Sequence, residues 1–405
     1  MTAGAAMPEP DIRVALLQNV PRVSFRVSGD YTVTNQATGG VIAAPAPGEV
    51  WEVRAAGGLL QVCREGVPVG AFSGPVRVEQ SAVEVAIAGG GGQTIVRTGT
   101  EGLAVLGPGN EMVTLGRDAG AYQVLGPEGR KTALKPGGLH LVAVQQANGE
   151  WRRYRGNLEI RTGGEGLLVI NELPLEQYLY SVVPSEMPSS WPLEALKAQA
   201  LAARTYALKR IEGARGAPFH VTPTQDNQVY HGYDHESPST TRAVEETRGK
   251  VLVYATPSGP SRGGVRGELV DAFFHSSNGG FTERAEDVWL QSVPYLEAKP
   301  DPYDANPKHY NWQVVYTAEQ LMQKLNDWLT KREDDRRFAK VTDLEILEHT
   351  ASGARVKKMA VTGVLADGTP CTVEIGNADR VRQALGLKSA LFTMEKRLDA
   401  TGNLV

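Results

Sequence analysis

Cysteine is scarce in this chain: two in 405 residues, Cys63 and Cys371. That excludes a disulfide framework and an all-cysteine zinc site. It leaves one bridge between distant segments or, the expectation here, two buried thiols. Seven histidines keep a mixed metal site open. No run of about 18 apolar residues occurs, so no segment is long enough to cross a membrane as a helix. Charge of one sign is not in excess. A formal net charge of −4 and a pI near 6.1 argue against nucleic acid as the main partner, while a local basic groove stays open. Met1–Asp11 has neither a basic n-region nor an apolar h-region. The expectation is therefore a signal already removed, or export that is not encoded here.

What is present is glycine, 45 residues of it, which points to many turns and so to strands. The length suggests two or three compact units. The first 150 residues read as all-β. Val23-Ser-Phe-Arg-Val27 alternates with period two, and Ile12–Leu17, Val50–Val53, Leu59–Val62, Val76–Val78, Val83–Ala88, Ile95–Thr98 and Leu141–Gln145 are further short strands. Their separators, Ala43–Gly48, Gly89–Gly92, Gly107–Gly109 and Pro136–Gly138, are rich in glycine or proline. This spacing suggests a barrel or sandwich. Gly89–Gly92 runs into Gln93-Thr94-Ile95-Val96, a strand and not a helix, so it reads as a hairpin tip and not as a phosphate loop. No internal repeat is apparent.

The pattern changes after Trp151. Leu158–Thr162 and Leu167–Ile170 flank Gly163-Gly164-Glu165-Gly166, a hairpin with suitable turn chemistry. A helix is expected over Leu175–Val182. Val183-Pro184-Ser185-Glu186-Met187-Pro188 is expected to be rigid and extended, because two prolines bracket Glu186. Leu193–Ile211 is the best-signalled helix, with Ser190 as N-cap, Pro192 in its first turn, and Leu193, Leu196, Ala200, Ala203 and Ala207 on a small-residue face suited to a core. Further helices are expected at Ser239–Arg248, closed by Gly249, near Glu319–Leu329 with Thr317 and Gln320 as a capping box, and at Ala378–Leu385. Strands are expected at Val251–Tyr254, Glu268–Phe274, Leu344–Leu347, Val356–Thr362 and Thr372–Ile375.

Three stretches can carry chemistry. Glu186, between two prolines and near Met187 and Trp191, sits where desolvation raises a carboxyl pKa, as a general acid requires; a surface glutamate on a loop is the alternative. His275-Ser276-Ser277-Asn278-Gly279-Gly280 follows an apolar strand, where binding groups are often held, and Gly279-Gly280 permits close backbone approach; Asn-Gly is equally a plain turn signal. No Gly-x-Ser-x-Gly elbow supports serine catalysis. In Gln225–His235, Gln228 and Tyr230 suit hydrogen bonding and stacking on a sugar, and His231, Asp234 and His235 are possible metal ligands. Glu283, Glu286 and Asp287 form an acidic cluster that also fits a solvated helix start.

In order along the chain, several segments resemble the SpoIID/LytB family, the stage II sporulation protein D group. They are Leu173-Pro-Leu-Glu-Gln-Tyr-Leu179, Val183-Pro-Ser-Glu-Met-Pro188, Trp191-Pro-Leu-Glu-Ala-Leu-Lys-Ala-Gln-Ala200, Ala202-Ala-Arg-Thr-Tyr-Ala207, Gln228-Val-Tyr230, the His275–Glu283 loop, Val288-Trp289, Pro294-Tyr-Leu296 and Arg380–Ser389. The opening Ile12-Arg-Val-Ala-Leu16 fits the family's start, and residues 31–150 match weakly.

The resemblance implies cleavage between N-acetylmuramic acid and N-acetylglucosamine in peptidoglycan glycan strands, stripped of stem peptides, by a lytic transglycosylase whose catalytic acid is Glu186. Position and polarity make Tyr178, Gln228, Tyr230, His275, Ser276, Ser277, Gly279 and Gly280 the expected sugar contacts. The resemblance also implies an extracytoplasmic place and a cell-wall amidase as a possible partner. One carboxyl suffices in such chemistry, because the substrate's own C6 hydroxyl attacks the anomeric carbon. The rival readings are a non-catalytic amidase enhancer and a glycan-binding module. Family members that hold zinc carry Cys and His before the Gln-Val-Tyr match. Val221–Asn227 has no cysteine, so no metal or other cofactor is expected.

The expected fold class is α+β: a mostly antiparallel β core with the Ala-rich helix 193–211 buried in it, plus an all-β N-terminal region. The expected division is 1–30 as opening strands of the core, 31–150 as an inserted all-β region with a wall-binding role, and 151–405 as the catalytic domain.

Overall fold

Alternation at Val23–Val27 has the consequence that period two predicts. Val23, Phe25 and Val27 point inward and are buried, and Ser24 and Arg26 point out. In the computed structural model the described residues are 9–81, 139–262, 265–289, 291–304, 310–352, 354–400 and 404, together with the backbone of six strands between 83 and 134. The separators Gly89–Gly92, Gly107–Gly109 and Pro136–Gly138 lie outside the described residues. The chain divides into two units, Met1–Phe273 and Phe274–Val405.

In the first unit, two six-stranded antiparallel sheets enclose one core. One runs, in spatial order, Asp11–Val20, Gly166–Pro174, Asn157–Gly163, Val76–Gln80, Tyr31–Asn35 and Gly40–Ala43. The other runs Trp151–Tyr154, Leu141–Gln145, Arg22–Ser28, Trp51–Ala56, Leu59–Arg64 and Val67–Phe72. Strands of residues 31–80 and 141–154 are thus interleaved with those of 11–28 and 157–174, and a boundary at residue 30 cuts across both sheets. The reason is long-range pairing: Val78 opposes Leu158, and Phe25 opposes both Trp51 and Val144. The Gly163–Gly166 hairpin closes as expected, with those two residues paired.

Between Val83 and Leu134 the backbone forms three successive hairpins, Val83–Ala88 with Thr94–Gly99, Leu103–Leu106 with Met112–Leu115, and Tyr122–Leu125 with Lys131–Leu134. The sequence Val-Leu-Gly-Pro recurs at 105–108 and 124–127, so a short repeat is present after all. Its two copies share little beyond turn chemistry, which hides it among ordinary hairpin signals.

Three helices follow in this unit: α1 (Leu175–Glu186), α2 (Leu193–Gly213) and α3 (Pro238–Glu246). Helix α1 corrects the expectation of an extended 183–188 segment, because it continues through Pro184 to Glu186. A proline near a helix end forfeits one hydrogen bond and disfavours helix in the residue before it. Here Val182 and Val183 are fully buried, and that packing outweighs the local preference. Ser185 Oγ donates to the Ser181 carbonyl at 2.7 Å, and the Met187 N–H reaches the Val183 carbonyl at 3.0 Å. Met187 is then extended, as a residue before a proline should be, and the helix stops. Pro192, and not Ser190, is the N-cap of α2, with no side chain capping it. Leu196, Ala200, Ala203 and Ala207 are buried, so the small-residue face does enter the core. Gly249 takes a φ of 70° after α3.

The second unit holds α4 (Ala285–Trp289), α5 (Ala318–Thr330) and α6 (Ala378–Leu385), with an antiparallel meander of Phe338–His349, Val356–Leu365 and Pro370–Gly376. Thr317 and Gln320 make the reciprocal capping box. Leu321, Leu325, Val341, Met359, Val381 and Ala384 share its core. The acidic cluster is not a solvated helix start. Asp287 is buried, accepts from the Ala351 N–H at 3.1 Å and pairs with Lys357, and Glu283 is engaged by Ser352 and Arg355. The fold class is α+β, as expected. Both thiols are free, Cys63 buried and Cys371 half-buried. Among the described residues no helix is long and apolar enough to cross a membrane.

Candidate active site

Glu186 is the last residue of α1, so its position follows from whatever fixes that helix. Two carboxylates do so. Glu9 accepts the Glu176 N–H at 2.6 Å, supplying the N-terminal cap that Pro174 cannot, where the helix dipole favours an anion. Glu176 itself forms a bidentate pair with Arg204 of α2, both contacts at 2.7 Å and both residues almost wholly buried. Arg204 places its remaining donors on the Val244 and Lys250 carbonyls and on the Thr247 hydroxyl. One guanidinium thereby ties α1, α2 and α3 together. Sequence reading passed over this pair. The usable signal was a charged residue between Ala203 and Ala207 on the helix face that packs inward.

The Glu186 carboxyl is half-buried, and Oε1 accepts the Val229 N–H at 2.7 Å. Burial raises its pKa above the ordinary carboxylate range, and the Val229 N–H offsets part of that rise. A group whose pKa is raised on folding adds stability below its unfolded pKa and loses it as pH climbs through the folded one. Glu186→Gln, which imitates the protonated acid, should match the parent melting temperature at acidic pH, exceed it progressively as pH rises from the unfolded to the folded pKa of Glu186, and keep a constant lead above that. Melting curves across pH would show this, and an offset constant over the whole pH range would contradict it.

The segment that presents Val229 is held from below. Tyr178, on α1, donates to Gln228 Oε1 at 3.2 Å, and Gln228 Nε2 donates to the Ala203 carbonyl at 3.2 Å. Tyr230 donates to Asn171 Oδ1 at 2.8 Å, and its ring lies 5.0 Å from that of Tyr178. Asn171 anchors itself on the Arg155 and Asn157 carbonyls. Burial keeps both phenols protonated and therefore donors, and Glu186 adds to the rise at Tyr178. Tyr178, Gln228 and Tyr230 were expected to face sugar. They are buried, and their polar groups are spent on protein partners, so they form the scaffold beneath Glu186. Tyr178→Phe leaves Gln228 Oε1 without its donor and should cost about 1–2 kcal/mol in urea unfolding.

His231 and His235 meet edge to face with ring centroids 5.0 Å apart, and Asp234 is taken by Arg153. In Val221–Asn227 the polar groups bond one another, with Asn227 Oδ1 accepting from the Thr222 N–H and hydroxyl. Among the described residues no three His, Cys, Asp or Glu side chains converge in one place.

The remaining candidates, His275 to Gly280, belong to the second unit. The strand before them ends at Leu269 and not at Phe274, so they extend from irregular chain. His275 and Ser276 are exposed. Ser277, Asn278 and Gly279 turn inward on Asp304, a residue that the sequence reading did not single out.

A two-sheet core carrying a helix pair, with the half-buried carboxyl of Glu186 at the end of α1, defines an α+β protein with a candidate carboxylate site. Residues 163–254, which contain α1, α2 and the Val229 segment, match the family model described as stage II sporulation protein. Residues 295–404 match a domain of unknown function. The amidase enhancer of Bacillus subtilis (strain 168) is 38% identical over 199 residues, 47% of this chain and 25% of that protein. Stage II sporulation protein D of the same organism is 30% identical over 247 residues, 57% of this chain and 63% of that protein. An uncharacterized protein of Brachyspira hyodysenteriae is 40% identical over 144 residues, 35% of this chain and 36% of that protein. Residues 163–254 thus carry a SpoIID-type domain, and the chain is similar to SpoIID/LytB proteins around it. It spans between a quarter and just under two thirds of these relatives.

Proposed function

We propose that this protein acts outside the cytoplasm on bacterial cell wall, as a lytic transglycosylase that cleaves between N-acetylmuramic acid and N-acetylglucosamine, with Glu186 as its acid and then its base. The observation that carries this reading is the Glu186 carboxyl: half-buried at a helix end, raised in pKa by burial, with one oxygen fixed by a backbone N–H. Such a group stays protonated long enough to give its proton to the leaving glycosidic oxygen. Its carboxylate then accepts the proton of the sugar's C6 hydroxyl as that oxygen attacks the anomeric carbon and closes a 1,6-anhydro ring. The intramolecular nucleophile has a high effective concentration, so no second carboxylate is needed to activate water. The Val229 N–H holds the carboxylate in place between the two steps. Tyr178, Gln228 and Tyr230 act through the position of Glu186, and His275 and Ser276, exposed in the second unit, are separate candidates for sugar contact.

The similarity to an amidase enhancer supports a second reading, in which the chain has a wall amidase as partner and stimulates it without cutting glycan. The two separate in one assay. Purified protein incubated with glycan strands alone should release product under the first reading. Under the second it should release none, yet accelerate stem-peptide removal when a wall amidase and peptide-bearing wall are supplied.

A further inference from the structure

Three donors converge on one oxygen in the second unit. Asp304 Oδ2 accepts the Ser277 hydroxyl at 2.8 Å, the Asn278 N–H at 2.6 Å and the Gly279 N–H at 2.7 Å. The next N–H, of Gly280, turns back onto Asn278 Oδ1 at 2.8 Å. Gly279 and Gly280 have φ of 71° and 90°, the left-handed conformations that aim successive N–H groups into one concavity. Among the described residues no cation pairs with Asp304, and it is these donors that hold its carboxyl below the usual range. The concavity is therefore an anion nest filled by a carboxylate of the same chain.

Two further features distinguish it from a simple loop staple. Among the described residues, a Cβ built on Gly280 would meet nothing nearer than the Tyr310 hydroxyl at 3.8 Å and the Asp301 carbonyl at 4.0 Å, so none of them closes that side of the nest. Exposed aromatic faces also stand near it: Tyr303 is 93% exposed and directly precedes Asp304, and Tyr310, beside Gly280, is 40% exposed. An anion cradle edged by exposed tyrosine rings suits a sugar that carries a carboxylate, because rings stack on pyranose faces while the nest takes the charge.

We propose that Ser277, Asn278 and Gly279 form a carboxylate-binding subsite, that Asp304 occupies it when no substrate is bound, and that its ligand is a carboxylate of peptidoglycan. This rests on the wall-glycan reading above. Peptidoglycan offers that group from two sources, the lactyl ether of muramic acid freed of its stem peptide and the C-terminus of the stem peptide itself. Asp304 competes as an internal ligand, so removing it should expose the subsite.

The test is binding of N-acetylmuramic acid, its methyl ester, N-acetylglucosamine and D-alanyl-D-alanine to the full chain, followed by calorimetry or by amide shifts of Asn278 and Gly279. Parent, Asp304→Ala and Asp304→Ala/Ser277→Ala proteins are compared. Asp304→Ala should tighten N-acetylmuramic acid about tenfold, leave the ester and N-acetylglucosamine unchanged, and lose most of the gain when Ser277 is also replaced. Tightening of D-alanyl-D-alanine instead would assign the peptide terminus as the source. If Asp304→Ala lowers the melting temperature, added D-lactate should restore it. A melting loss that carboxylates do not rescue, or equal binding of acid and ester, would overturn the proposal and leave Asp304 as a staple. Carboxylate binding without glycan cleavage would overturn the transglycosylase reading and leave the subsite standing.

Discussion

Glu186→Gln is expected to lower glycan cleavage by about 10³-fold or more while leaving the fold intact, because it removes a group used as acid in one step and as base in the next. Glutamine keeps the shape and can still accept the Val229 N–H through its carbonyl oxygen, so the loss reports proton transfer and not position. Activity in the parent should persist to higher pH than an ordinary carboxylic acid allows, since burial raises the Glu186 pKa. Steady-state rates on glycan strands across pH would measure both effects. Glu186→Asp shortens the side chain by one methylene and pulls the carboxyl away from Val229. It should retain only a small part of the activity, because misplacement of about 1 Å costs on the order of 10²-fold.

The largest stability effect is expected at Arg204. Replacing it by alanine strands Glu176 as a buried anion and removes the bonds that Arg204 gives to the Lys250 and Val244 carbonyls and to the Thr247 hydroxyl. Breaking a buried pair from one side costs about 3–5 kcal/mol. For a unit of this size that lowers the melting temperature by about 10 °C. Glu176→Met combined with Arg204→Met removes both charges and should recover most of the loss, because apolar replacements of a whole buried pair are often neutral or better. Activity should not recover with it. The pair also sets the angle at which α1 delivers Glu186, and thioether packing does not reproduce a planar bidentate contact. Thermal melts and rates on the two variants separate these roles.

How much of this was legible in the sequence depended on the range of the interaction. Period-two alternation placed Val23, Phe25 and Val27 correctly, and the reciprocal cap of Thr317 and Gln320 could be read from residues three apart. Glu186 was singled out for its prolines, and its half-buried setting agrees. The route was different, since Pro184 lies inside the helix it was expected to end. There the decision lay with Val182 and Val183, whose burial depends on strands far away in sequence. The roles of Tyr178, Gln228 and Tyr230 were not legible for the same reason. A buried glutamine bonded to a helix carbonyl and one facing a sugar have the same sequence. Asp304 closes on a nest 25 residues earlier, and no local pattern marks it. The interleaving of 31–80 with the opening strands is likewise a matter of long-range pairing, which short strands with ordinary turns do not announce.

Mass spectrometry identifies the ends released from purified, peptide-free glycan strands by the parent protein and by Glu186→Gln. The account predicts 1,6-anhydromuramic ends from the parent and none from the variant. Reducing ends in their place would contradict it, as would anhydro ends that persist when Glu186 is replaced.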